Sequence, residues 1–381
     1  MPFKFKRQIF GFMDLIRFTK MVPKRREKLA EGSAEKIPAS YRVNETARIL
    51  HPGYQSAKLV KIIPNTADTK TYEFETERPF YFRAGQYMTL GATIDGSVVS
   101  RPYAASSAPK AALEKRVAFT IKKCGFFSGY MFDNAKVGDT FTVGDPTGEF
   151  CYEPVKDASH IVAIAGGSGI TPFYSMAQAI TDGTIDVKLT IFYGAKTEED
   201  LIFKTELDAL KSDKINVIYV LSNEKKAGYE SGFIGAEIIE KYVSGDFTVM
   251  MCGPQAMYAF LDKELTKFNL PLRRIKKEAN TVGMRDVKEA HYKITVKIGF
   301  NTYTVDADSR ETVLTALERA GLNVPAKCRA GGCGFCHAKL ISGKFTIPVA
   351  DKRRLADSKF GYFHPCCSYP DSDMEMIANK A

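Results

Sequence analysis

Cys328-Arg-Ala-Gly-Gly-Cys333-Gly-Phe-Cys336 is the stretch on which the reading of this chain turns. Its C-x4-C-x2-C spacing sets three thiolates on one tight loop, an arrangement that wraps a pair of iron ions. Glycine lets such a loop turn sharply and aim backbone N–H groups at bridging sulfides. A fourth thiolate has to come from farther along. Cys366 follows Cys336 with 29 residues between them and is itself followed by Cys367-Ser-Tyr-Pro. The alternative is a zinc site using Cys333, Cys336 and Cys366 or Cys367, but only the first pair has a zinc-like C-x2-C spacing. A Rieske centre replaces two thiolates by His. His337 and His364 lack the spacing for that and read as loop histidines.

Upstream of the loop, YKITVKI and TYTVDA alternate as strands and ETVLTALERAG reads as a helix. Residues 291–381 therefore form an α+β module. The segment from Cys366 resembles the end of plant-type ferredoxins, where a ligand Cys precedes two small residues, an aromatic and a proline. That resemblance implies a β-grasp fold and a [2Fe–2S] cluster held by Cys328, Cys333, Cys336 and Cys366. It puts Cys367 in a small-residue position.

A length of 381 residues suits two or three domains, and the composition is ordinary for globular proteins. No run approaches a membrane span, and the first residues have no signal-peptide pattern. A cytoplasmic location is the expectation. Eight cysteines in such a chain point to metal binding rather than disulfides. The net charge of +10 is uneven: residues 1–28 carry nine Lys or Arg against Asp14 and Glu27. The basic character is thus local and gives no nucleic-acid footprint over the whole surface. Residues 1–45 are expected to be a basic, helical extension with Phe5, Ile9, Phe12, Met13 and Ile16 on one face. Such a helix docks on a partner, lies on an anionic membrane, or packs on its own protein.

Between 54 and 153, short alternating runs broken by Gly and Pro predict an antiparallel β-barrel. From 158 to 280, strands alternate with helices, which predicts a parallel sheet in an α/β module. A polar stretch near 280–290 reads as a linker.

The barrel carries Gln86 in Ala-Gly-Gln-Tyr, then Arg101-Pro-Tyr103-Ala104, then Gly125-Phe-Phe-Ser128. An aromatic can stack on an isoalloxazine, an arginine can bind pyrophosphate, and glycine N–H groups can take further phosphate oxygens. The α/β module opens with an apolar strand running into Gly166-Gly167-Ser168-Gly169-Ile170-Thr171-Pro172. A glycine turn at a helix start admits a pyrophosphate and offers it N–H groups. Cys252-Gly253-Pro254 ends a later strand.

Together these segments resemble the ferredoxin–NADP reductase superfamily. Arg101 and Tyr103 fill the first and third places of its Arg-x-Tyr-Ser/Thr flavin signature; Ala104 replaces the Ser/Thr near the flavin N5. Gly125 and Ser128 match the second phosphate segment, which favours FAD, with FMN as the alternative. The resemblance also implies that Cys252, Gly253 and Pro254 border the nicotinamide, and that Glu278 stands where the family often carries an acid close to it. Ser222-Asn223 replaces the Ser-Arg pair that takes a 2′-phosphate, so NADH is favoured over NADPH, with Lys225 and Lys226 close by.

The module order, covering about 54–381, resembles oxygenase reductases and the reductases of hybrid cluster proteins. It implies an enzyme passing electrons from NAD(P)H through FAD to [2Fe–2S] and on to a partner redox protein. The alternative is an electron-transfer subunit of a larger complex without independent NAD(P)H oxidation.

Overall fold

A computed structural model describes residues 11–30, 41–94, 97–278, 285, 287–348 and 351–379. Residues 1–45 and 46–381 form two compact units. The first unit holds helix α1 (Phe12–Ala30). Its polar mean hydropathy excludes a membrane span, and among the described residues no helix is long and apolar enough to cross one. Phe5 and Ile9 of the expected apolar face lie outside the described residues. A short helix, α2 (Arg42–Leu50), follows.

The antiparallel barrel is built from β1 (Gln55–Thr66), β2 (Thr69–Thr76), β3 (Tyr87–Ile94), β4 (Ser97–Ala104), β5 (Arg116–Lys122) and β6 (Thr140–Val143). The strand order is β4-β3-β6-β1-β2-β5. An Ala105–Phe119 bridge joins the two outer strands and closes it. Period-two alternation sends Leu59, Phe74, Phe119 and Phe141 inward, where Phe74 packs against both other rings. Helices α3 (Pro109–Leu113) and α4 (Phe126–Asp133) flank β5. Tyr72 Oη donates to Met131 O at 2.7 Å and fixes α4 on the barrel.

The second sheet is parallel throughout, in the order β10-β9-β8-β7-β11-β12. Its strands are β7 (His160–Gly166), β8 (Lys188–Ala195), β9 (Ile215–Leu221), β10 (Glu230–Ser231), β11 (Thr248–Cys252) and β12 (Ile275–Lys277). Helices α5 (Thr171–Thr181), α6 (Lys204–Ala209), α7 (Ala236–Tyr242) and α8 (Gln255–Glu264) accompany it. The near-continuous apolar runs of β7 and β11 are buried except at Gly166, as a sheet covered on both faces requires. Helix α5 ties this module to the barrel: Ser175 Oγ donates to Ser107 O at 2.7 Å, and Gln178 Nε2 donates to Ser106 O at 2.8 Å.

The last module is a mixed sheet of order β14-β13-β19-β15-β17. It comprises β13 (His291–Ile298), β14 (Asn301–Asp308), β15 (Ala338–Ser342), β17 (Tyr362–Phe363) and β19 (Met374–Ala378); β16 (Phe345–Thr346) pairs separately with β18 (Tyr369–Pro370). Strands β13 and β19 are parallel and their outer neighbours antiparallel, with helix α9 (Val313–Arg319) contributing Val313, Ala316 and Leu317 to the core. Thr312 caps α9 by accepting from Thr315 N at 3.2 Å. Helix α10 (Leu355–Lys359) lies between β16 and β17. Three expected architectures are thus present in the expected order. Most of the expected linker near 280–290 lies outside the described residues.

Candidate redox site

The loop 328–336 is shaped by positive φ at Arg329 (+50°), Gly331 (+73°) and Gly334 (+69°). These turns bring N–H groups onto sulfur. Ala330 N and Cys333 N donate to Cys328 Sγ at 3.4 Å, and Phe335 N donates to Cys333 Sγ at 3.5 Å. The thiol of Cys333 also donates to Cys328, and with the backbone donors it holds the Cys328 thiol well below its usual range. Cys366, beyond α10, is hydrogen-bonded to Cys336, so the distant thiol meets the loop. Four thiols brought together, with backbone donors aimed at them, fit a [2Fe–2S] cluster.

Two histidines brace this loop from outside. His364 Nδ1 lies 2.8 Å from Gly331 O, and His337 Nδ1 lies 2.9 Å from Gly334 O. The neighbouring Cys367 is also buried. Its Sγ reaches His364 O at 3.4 Å and lies 2.8 Å from where a Cβ on Gly331 would stand.

On the barrel, strand β4 sends Arg101 and Tyr103 to one face by its period of two. Tyr103 faces Phe127 of α4 with ring centres 6.1 Å apart. Gly125 caps α4, and a Cβ there would meet open space. Ser128 Oγ accepts from Cys124 N at 2.9 Å and donates to Gly125 O at 3.1 Å, so this hydroxyl shapes the turn. The unpaired N–H groups of a helix start favour an anion. Gln86 is committed to backbone: its Oε1 accepts from Arg83 N at 2.8 Å and its Nε2 donates to Gly148 O at 3.3 Å. Ala104 pairs with Tyr87 across β3 and β4. Arg101 Nη1 donates to Ser100 O at 2.8 Å and to Glu318 Oε2 at 2.9 Å. The structure thus gives the signature arginine a partner in another module, which no local sequence signal announces.

In the parallel sheet, β7 leads into a turn at Gly166–Gly169 and then α5, with Thr171 Oγ1 donating to Ser168 O at 3.2 Å. This turn packs directly on Cys252-Gly253-Pro254. A Cβ on Gly169 would stand 2.0 Å from Cys252 O, and one on Gly166 would stand 2.9 Å from Pro254 Cδ. Gly167 has φ +54° and open space around it, a place where a pyrophosphate can approach. Tyr258, unremarked in the sequence, organises the far side. Its Oη accepts from Gly253 N at 3.1 Å and donates to Glu278 O at 2.8 Å, which sets Glu278 beside the Cys-Gly-Pro turn.

Glu278 is buried, and burial pushes its carboxyl up to about 7. In the unfolded chain it titrates near 4.5, so between 4.5 and 7 only the folded state retains the proton. Stability from this group is full below about 4.5 and is lost as pH rises toward 7, by about 3 kcal/mol at most. Thermal unfolding of Glu278→Gln and the parent should therefore lie closest at pH 5, with the variant melting progressively higher toward pH 8. A difference independent of pH would contradict this.

A small cleft of about 120 Å³ is lined by Tyr87 and Pro102 of the barrel, by Glu278, and by Cys328, Ala330, Gly332 and Lys352 of the last module. Burial raises the Tyr87 hydroxyl above its usual range, with Cys328, Cys333 and Glu278 adding to the effect. The barrel, Glu278 and Cys328 of the 328–336 loop meet at this cleft.

Comparison with known proteins agrees with each module. Residues 56–152 match an oxidoreductase FAD-binding domain, 163–263 an oxidoreductase NAD-binding domain, and 296–371 a 2Fe-2S iron-sulfur cluster binding domain. The chain belongs to the ferredoxin–NAD(P) reductase superfamily, with a 2Fe–2S domain at its C-terminal end. A glycine betaine monooxygenase reductase subunit of Chromohalobacter salexigens is 27% identical over 354 residues, covering 85% of this chain and 95% of that protein. The ferredoxin reductase component of the 3-ketosteroid-9-alpha-monooxygenase of Mycobacterium tuberculosis is 28% identical over 347 residues, covering 86% and 93%. The solved structure of phthalate dioxygenase reductase matches the fold with TM-score 0.66 at 22% identity, covering 86% of this chain and 98% of that one. The chain itself is an oxidoreductase that uses FAD and a [2Fe–2S] cluster to pass on electrons from a pyridine nucleotide.

Proposed function

We propose that the chain is the NADH-preferring reductase component of a two-protein system, passing single electrons from its cluster to an acidic face on an oxygenase-type partner. The observation that carries this reading is the two-sided cluster loop. Cys328 lines the inner cleft with Tyr87 and Glu278, while Cys333 is exposed and Phe335 is 55% exposed. An electron entering from the cleft would leave on the outer side. Phe335 supplies an apolar contact there, and residues 291–381 carry 13 Lys or Arg against nine Asp or Glu. Opposite charge on a partner would steer its approach. The relatives named as reductases of monooxygenases support the choice of partner.

When bound, FAD accepts a two-electron hydride and gives up its electrons singly, which a one-electron cluster requires. The proposed modules are 54–153 for FAD, 158–280 for the nucleotide and 291–381 for the cluster. Tyr103 stacks on the flavin, and Arg101 with the Gly125–Ser128 turn binds its phosphates. Ala104 has no hydroxyl, so a hydrogen bond to the flavin N5 region has to come from backbone N–H or another side chain, or the flavin potential is tuned without it. Gln86 acts through the turn it holds. Gly166, Gly167, Ser168, Gly169 and Thr171 take the dinucleotide pyrophosphate. Cys252, Gly253 and Pro254 border the nicotinamide without supplying a base, and Glu278 faces it from just beyond β12. Cys328, Cys333, Cys336 and Cys366 hold the iron. The basic segment 1–28 is assigned to partner docking, with a membrane surface as the alternative.

The NADH preference is supported by the ends of β8 and β9. Lys226 is bonded to Glu198, and Glu224 Oε2 accepts from Glu198 N at 2.9 Å. Paired with an acid, Lys226 is a poor site for a 2′-phosphate, whereas acids there suit a free ribose hydroxyl. Steady-state turnover tests both parts of the reading. The kcat/KM for NADH should exceed that for NADPH by roughly tenfold or more, about 1.4 kcal/mol. With NADH, an acidic one-electron carrier should be reduced faster than basic cytochrome c at low salt, and the advantage should shrink as salt is added. Equal coenzymes, or a salt-independent preference for the basic carrier, would count against it.

A further inference from the structure

Glu318 sits near the end of α9 with only 6% of its side chain exposed, between two guanidinium groups. Its Oε2 accepts from Arg101 Nη1 at 2.9 Å and from Arg329 Nη1 at 3.1 Å, and its Oε1 accepts from Arg329 Nη2. Arg329 Nη2 also lies 3.4 Å from Ser100 Oγ. One buried carboxylate therefore gathers the strand bearing Arg101 and Tyr103, the helix behind the cluster, and the residue next to Cys328. A core position on α9 has no need of a charge, and a buried carboxylate is costly unless its oxygens are paired. Here both are paired, and both partners lie on the flavin-to-cluster side.

The backbone points the same way. Arg329 adopts φ +50°, a left-handed conformation that a residue with a side chain keeps only when its surroundings hold it. The ion pair to Glu318 supplies that hold. The cluster loop is thereby fixed against β4 at the covalent neighbour of its first cysteine.

We propose that Glu318 is the positioning residue for flavin-to-cluster electron transfer, pinning the cluster loop to the strand that carries the flavin signature. No bond forms or breaks at Glu318. One electron leaves the flavin and enters the cluster, and the carboxylate only fixes the distance and orientation between them. The inference rests on the electron path proposed above.

Anaerobic stopped-flow mixing of the holoprotein with NADH separates the two readings, because flavin bleaching precedes cluster bleaching. In Glu318→Gln, saturated with FAD because Arg101 is its partner, the first phase should stay within about twofold of the parent, while the second slows by roughly tenfold or more, as expected for small misplacements of reacting centres. Iron and sulfide content and the EPR spectrum of the dithionite-reduced cluster should be unchanged. Trypsin should release the C-terminal module faster. Glu318→Asp keeps the charge but shortens the reach, so its second phase should fall between, and it carries the test if the Gln variant does not fold. A parental second phase overturns the proposal whatever the digestion pattern, and so does loss of iron in the variants. Absence of the first phase in the parent would instead overturn the electron path itself.

Discussion

Replacing Cys366 by Ser should give a yellow protein whose flavin is still reduced by NADH, with iron and sulfide near zero per chain. The same replacement at Cys367 should leave iron and sulfide close to two each. The two cysteines are adjacent and both buried, so exposure does not separate them. Their partners do. Cys366 bonds the loop thiol of Cys336, whereas the thiol of Cys367, although beside that of Cys366, reaches His364 O and lies under Gly331. A thiolate is the ligand that iron needs, and a serine hydroxyl is a poor substitute. Reduction of one-electron protein acceptors should be abolished in Cys366→Ser and nearly unaffected in Cys367→Ser. Iron analysis with EPR of the dithionite-reduced proteins checks both, and a cluster lost only from the Cys367 variant would reverse the assignment.

Gly169→Ala should all but eliminate flavin reduction by NADH. The added methyl would stand 2.0 Å from Cys252 O and 2.5 Å from Cys252 C, and both of those are backbone atoms. No side-chain rotation relieves such an overlap, so the glycine turn and the Cys-Gly-Pro turn must separate. These are the two walls assigned to the dinucleotide, and a misplacement of about an ångström is enough to cost roughly a hundredfold. Gly167→Ala meets no neighbouring atom, but its φ of +54° penalises any side chain, by roughly 1 kcal/mol. Its loss should be much smaller. Dithionite should still reduce flavin and cluster in both proteins, since neither change touches them. Single-turnover reduction by NADH measures the difference, and a parental rate for Gly169→Ala would show that the turns do not form this site.

Much of this was legible in the chain because the decisive residues cluster. Three of the four cysteines fall in nine residues, the glycine turn follows its strand directly, and the barrel strands alternate cleanly. What was not legible joins residues far apart. Glu318 lies 217 positions from Arg101, and nothing in VLTALER marks that glutamate as different from a solvated helix charge. Tyr258 aligns Glu278 through a backbone carbonyl, a bond to which any residue type at 278 would be equal. Tyr87 is half of an ordinary strand pair until the last module covers it and makes it part of the cleft. The same holds for Gln86, whose motif is legible but whose amide holds the Arg83 and Gly148 backbone at both ends.

The proposed electron path joins a hydride intake, a flavin and a one-electron outlet. Anaerobic titration of the holoprotein with NADH, followed in the visible range and by EPR, tests it most directly. Flavin and [2Fe–2S] absorption should bleach together to a total of about three electrons per chain, two for the flavin and one for the cluster, with the EPR signal of a reduced [2Fe–2S] centre. A colourless zinc-containing protein, or a cluster that stays oxidised while the flavin bleaches fully, would contradict it.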